Sequence, residues 1–88
     1  MPYRLLIDLE VVGLLQSLPA GRRRDVLHYL REIQRYPSAC SDYADQDANG
    51  RRVEIAVQDG FAIYYWIDEA DQQVKILELI AADGRGPR

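Results

Sequence analysis

Apolar residues recur with different periods along this 88-residue chain, and each period predicts a different element. Tyr3, Leu5 and Ile7 share one face at period two, which predicts a short opening strand. Asp8 then offers a carboxylate to the free N–H groups of a following turn. Leu9, Val12, Leu15 and Leu18 continue at near-helical spacing, so a helix is expected from about Leu9 to Ser17. Gly13 inside that helix costs about 1 kcal/mol relative to alanine, and close approach to a neighbouring element is its expected reason. Pro19-Ala20-Gly21 breaks the pattern. Val26, Leu27, Leu30 and Ile33 resume it at i, i+1, i+4 and i+7, until Tyr36-Pro37 ends a second helix, because a residue before proline avoids the α region. Two helices joined by a short Pro/Gly turn form a hairpin, and each must bury one stripe on a shared partner.

That partner is expected in the C-terminal half. Ser38 to Gly50 carries Ser, Asp, Asn, Gln and Gly and reads as a long polar loop with Tyr43 as its one bulky anchor. Beyond Asn49-Gly50, Val53, Ile55 and Val57 alternate with Arg52, Glu54, Ala56 and Gln58, the pattern of a half-buried strand with Arg52 and Glu54 outward. Asp59-Gly60 is a hairpin turn signal, since both residues tolerate positive φ, and Phe61 to Ile67 supplies a return strand rich in aromatic and β-branched residues. After a turn over Asp68–Gln72, Val74 to Ile80 is apolar enough on both faces to lie away from a sheet edge. The expected fold is α+β: an N-terminal strand and helical hairpin packed on an antiparallel sheet with a C-terminal three-stranded meander. It forms one domain over residues 1–88, with 81–88 a loosely held tail.

Composition narrows the function classes. At 48% hydrophobic the chain can bury one core. Cys40 is the only cysteine and His28 the only histidine, so neither an internal disulfide nor a structural metal site is expected, and no cofactor either. Without a disulfide, a leader pattern or an apolar run of about 18 residues, a cytoplasmic protein with no membrane partner is expected. Residues 1–44 carry six basic and five acidic side chains, and residues 45–88 five and nine. A net charge of −3 argues against strong non-specific nucleic-acid binding, which releases counterions from phosphates through a basic surface.

The order strand, helical hairpin, polar loop and meander resembles the RelE/ParE superfamily of bacterial toxins from type II toxin–antitoxin systems. The pieces that carry the resemblance are the Leu18-Pro19 break before Arg22-Arg23-Arg24, the helix ending at Tyr36-Pro37, and the run from Val57 to Asp68 through Ile63-Tyr64-Tyr65-Trp66-Ile67. The resemblance implies a growth-inhibiting toxin neutralised by a cognate antitoxin. Its target would be the ribosome with its mRNA, for an endoribonuclease, or DNA gyrase; a catalytically inactive protein-binding module of the same fold is the further alternative. In the ribonuclease branch, basic residues on the sheet and after the last strand bind the scissile phosphate, often with a C-terminal tyrosine. By position this implies Arg85. The sheet position that is commonly arginine in the family is Ala62 here, and no tyrosine follows Arg85.

Cleavage of RNA through its 2′-OH needs a cation for the phosphorane-like transition state and groups that move protons. Arg51, Arg52 and Arg85 are the candidate cations and Glu54 the candidate for proton transfer; the alternative is ordinary solvated strand-end and tail charge. Arg24, His28, Arg31 and Arg35 fall on one stripe of the second helix, suited to phosphate or an acidic partner, or simply a solvated face. His28 lacks a nucleophile constellation. Tyr64 and Trp66 share one strand face, opposite Ile63, Tyr65 and Ile67. With Leu77 they are candidate anchors for a partner segment, and stacking on RNA bases or plain packing are the other readings.

Overall fold

The computed structural model describes residues 3–81. Its elements run β1 (Arg4–Ile7), α1 (Leu9–Ser17), α2 (Ala20–Arg35), α3 (Pro37–Cys40), β2 (Tyr43–Gln46), β3 (Arg52–Gln58), β4 (Phe61–Asp68) and β5 (Gln73–Ala81). The local signals act as expected where they are strongest. The Asp8 carboxylate accepts from the Glu10 N–H at 2.9 Å and starts α1. α2 ends at Arg35 before Pro37, and Asp59 (φ 48) and Gly60 (φ 81) form the tight turn of the β3–β4 hairpin.

The strands form one sheet in the order β1-β5-β4-β3-β2. It is a mixed sheet rather than an antiparallel one: β1 lies parallel to β5, while the other pairs are antiparallel. The two strands are not joined directly: the helices carry the chain from β1 to β2 at the opposite edge, and the β2–β3–β4–β5 meander brings it back, so no tight hairpin forces β1 and β5 to be antiparallel. One face of the sheet is covered. Val11 and Leu15 of α1 and Val26, Leu30 and Ile33 of α2 meet Ala56, Phe61, Ile63, Tyr65, Val74, Ile76 and Leu79. Tyr65 is fully buried there, and its hydroxyl donates to the Pro37 carbonyl at 2.6 Å, fastening α3 to β4.

Several expectations need correction. The segment expected to be a loop contains α3 and β2, and all four residues of β2 are exposed, so no apolar alternation announces it. Side chains hold the segment instead: Asp42 accepts from the Val57 N–H at 2.8 Å, and Asp47 accepts from the N–H groups of Asn49 and Arg51, each at 2.9 Å. Tyr43 is exposed rather than an anchor. On β3 the inward set is Glu54 and Ala56, which pair with Tyr65 and Ile63, while Ile55 and Val57 pair with Tyr64 and Ala62 on the uncovered face. Leu9 and Leu27 are exposed, and Val11 takes the core place expected of Leu9. A Cβ on Gly13 would meet nothing within 4 Å, so no close approach explains that glycine. β5 lies inside the sheet only from Gln73 to Ile76, where β1 pairs with it. Ala81, expected in the tail, ends β5; the rest of that tail lies outside the described residues.

Candidate functional site

The uncovered sheet face is assembled by register. Opposite residues stack in rows across the strands: Ile55 beside Tyr64 beside Glu78, and Val57 beside Ala62 beside Ile80. Trp66 pairs with Lys75, which in turn pairs with Leu6 of β1. Between Tyr64 and Tyr65 the β4–β5 register slips by one residue: Tyr64 faces Glu78 and Tyr65 faces Ile76, which leaves Leu77 as the extra residue of a bulge.

Trp66 is the centre of this face. The Arg51 guanidinium and the Lys75 ammonium each lie 4.5 Å from its ring centroid. Cations so placed are drawn to the negative π face of the ring. Both are also engaged by carboxylates: Arg51 Nε lies 3.1 Å from Asp47 Oδ2 and Lys75 Nζ 3.6 Å from Asp68 Oδ2. Lys75 carries no sequence signal beyond being a lone charge in an apolar strand; its place over Trp66 is set by the β4–β5 register. Asp47 was not singled out either; its spacing of four residues before Arg51 is the signal that could have found it.

The candidate catalytic residues do not converge. Arg51 turns to the open face over Trp66, whereas Arg52 lies beside Glu54 on the helix side of the sheet. Glu54 is buried, not outward. It accepts from Ser41 Oγ at 2.6 Å and from Arg52 Nε at 2.7 Å. Burial pushes its carboxyl up, but the Ser41 and Arg52 hydrogen bonds outweigh that and hold it below the usual glutamate range. An ionised carboxylate with both oxygens occupied is poorly placed to donate a proton to a leaving group. Arg85 lies outside the described residues.

The binding candidates are dispersed as well. Tyr64 and Trp66 lie on the open face and are half-buried, not exposed, and so is Leu77 in its bulge. Arg24, His28, Arg31 and Arg35 are exposed along α2. Elsewhere on α2, Arg22 stacks over Phe61 at 4.5 Å and donates to the Asp59 carbonyl at 3.3 Å, and the Tyr29 hydroxyl bonds the Asp59 carboxylate. That bond, with burial and the acid's charge, pushes the Tyr29 hydroxyl up to about 12. A cavity of about 390 Å³ lies between α2 and β3, lined by His28, Glu32, Cys40, Asp42, Ala56 and Gln58 among others. Burial pushes the Cys40 thiol up, so it is a weaker nucleophile than a free cysteine. Among the described residues no group of three His, Cys, Asp or Glu side chains is placed to hold a metal, and no helix is long and apolar enough to cross a membrane.

No family model and no curated protein sequence matches the chain. Solved structures do. A chain of the archaeal RelE–RelB complex from Pyrococcus horikoshii superposes with a TM-score of 0.78 at 27% identity, covering 98% of this chain and 100% of its own. A chain of the RelBE2 toxin–antitoxin complex from Mycobacterium tuberculosis reaches 0.79 at 18% identity over 92% of this chain and 99% of its own, a likeness of fold. The free E. coli toxin RelE, as a double arginine-to-alanine mutant, shares the fold at 0.65 and 15% identity over 97% of this chain and 88% of its own. On a five-stranded mixed sheet with its helical hairpin, matched from end to end by the archaeal chain, this protein belongs to the RelE/ParE toxin superfamily.

Proposed function

We propose that this chain is the toxin of a type II toxin–antitoxin system, which inhibits growth and is neutralised by a cognate antitoxin protein. The observation that carries the reading is the end-to-end match, at 27% identity, to a chain of an archaeal RelE–RelB complex. Induced expression of the chain alone in a bacterial host tests it: growth arrest is the expected outcome, and unimpaired growth at verified expression removes the toxin reading.

Toxicity by binding a protein target, with DNA gyrase as the family's example, is favoured over mRNA cleavage by one observation. Arg51 and Arg52 turn to opposite faces of the sheet, and each is held by a carboxylate, Asp47 and Glu54 respectively. A transition-state phosphate needs cations that converge on it and are free to do so. Mapping transcript ends after induction separates the branches. The binding branch predicts no new codon-positioned cleavage and inhibition of gyrase supercoiling in vitro. Cleavage that Arg85→Ala abolishes would return the assignment to the ribonuclease branch.

A further inference from the structure

The cavity of about 390 Å³ beside α2 takes no part in either branch of the toxin reading. Three stretches of chain wall it: α2 supplies His28, Glu32 and Ile33, α3 and the residues after it Cys40 and Asp42, and β3 Ala56. Alanine at 39 and 56 leaves space between the helices and the sheet, and the buried Ile33, Ala56 and Ile63 give that space an apolar floor. Its size falls within the roughly 300–1,000 Å³ usual for small-molecule sites. Its charge is one-sided. Glu32 and Asp42 line it, no lysine or arginine does, and His28 is the only basic side chain on its wall. Among the described residues neither acid has a cation within ion-pair distance. Asp42 engages the Val57 N–H at 2.8 Å through Oδ2, which fixes the carboxylate without neutralising it. Arg22, farther back on α2, is held over Phe61 and donates to the Asp59 carbonyl. Both acids project into the interior: after burial, it is their charges that raise the Cys40 thiol.

We propose that this cavity binds a short aliphatic diamine, one ammonium meeting Glu32 on the α2 wall and the other Asp42 beside β3, with the methylene chain lying across Ala56. A negative wall over an apolar floor rejects anions and suits an organic cation with a hydrocarbon stem. Two acids carried by different elements call for two ammonium groups, and a monoamine leaves one of them unanswered. A metal ion fits less well, because it needs more ligands than these walls bring together among the described residues. The ammonium groups need only carboxylate acceptors and surrounding water. A bound diamine ties α2 to the segment that Asp42 anchors on β3, so it stabilises the folded chain. The site lies on the helix side of the sheet, away from Trp66 and the cations beside it.

The test is an amide-resolved NMR titration of the full chain with diaminobutane and diaminohexane, at constant ionic strength so that general screening does not move the signals. The expected result is saturable shifts around Glu32, Cys40, Asp42 and Ala56, at least one diamine binding about fivefold or more tightly than butylamine, and no binding of butanediol or butyrate. Glu32→Gln and Asp42→Asn should each bring the diamine down to the affinity of the monoamine. Asn at 42 keeps an acceptor for the Val57 N–H, and a dispersed spectrum checks that each variant is folded. Should Asp42→Asn unfold the chain, Glu32→Gln alone carries the test. No saturable shifts, shifts centred elsewhere, butyrate or butanediol binding as well as the diamines, equal affinity for butylamine, or unchanged affinity in Glu32→Gln would each overturn the site. The titration does not depend on toxicity: a chain that binds the diamine without arresting growth keeps the site and loses the toxin reading, and the reverse result does the opposite.

Discussion

At Tyr65 a fully buried ring carries a hydroxyl that donates to the Pro37 carbonyl, and burial pushes that hydroxyl's pKa well up. Tyr65→Phe leaves the carbonyl without this donor. The expected cost is about 1–3 kcal/mol, read as a lower urea midpoint with the slope unchanged. Glu54 sets a pH dependence. Its pKa is lowered in the folded state, so its contribution to stability is present above the ordinary glutamate pKa and is lost as pH falls through the lowered value. Asp47 is also lowered, chiefly by the Arg51 N–H, and acts in the same direction. Urea midpoints taken between about pH 6 and pH 3 should therefore fall, and fall less steeply in Glu54→Gln; parallel curves for the two proteins would contradict the assignment. Burial of Glu54 was not legible in the sequence. Its alternation with Val53 and Ile55 assigned it to solvent, and two partners make the buried carboxylate tolerable, Arg52 beside it and Ser41 thirteen residues away.

Among the elements, α1, α2 and the β3–β4 hairpin were legible because their signals are local: a cap at Asp8, a proline at 37, an Asp-Gly turn at 59–60. β2 was not, since an edge strand exposed on both faces has no period to read. The bulge at Leu77 and the parallel pairing of β1 were also hidden, because both depend on partners distant in sequence. Gly13 supplies a prediction at this scale. With open space around its missing Cβ, Gly13→Ala should stabilise α1 and the protein by about 0.5–1 kcal/mol, a rise in Tm of several degrees for a domain of this size. A fall in Tm would mean that a contact with something else needs the glycine. In contrast, Leu30→Ala removes a fully buried stem from the centre of α2 and should cost about 2–5 kcal/mol.

For the whole molecule, the sheet divides the labour. Its helix side is a continuous core from Val11 to Leu79, while its open side carries Trp66 between two cations whose charges are answered by Asp47 and Asp68. Fold class and family were readable from element order, but the position of the chemistry was not: whether two neighbouring arginines converge depends on which face of a strand each takes, and Arg51 and Arg52 take opposite ones. The central claim is that a cognate protein silences a toxic chain. The most direct measurement is growth of a host induced for this chain with and without the product of the open reading frame adjacent to its gene. The account predicts arrest with the chain alone and restored growth, with a stable complex of the two, on co-expression. Arrest that persists when both proteins are verified to be present, or a partner that forms no complex with the chain, would contradict it.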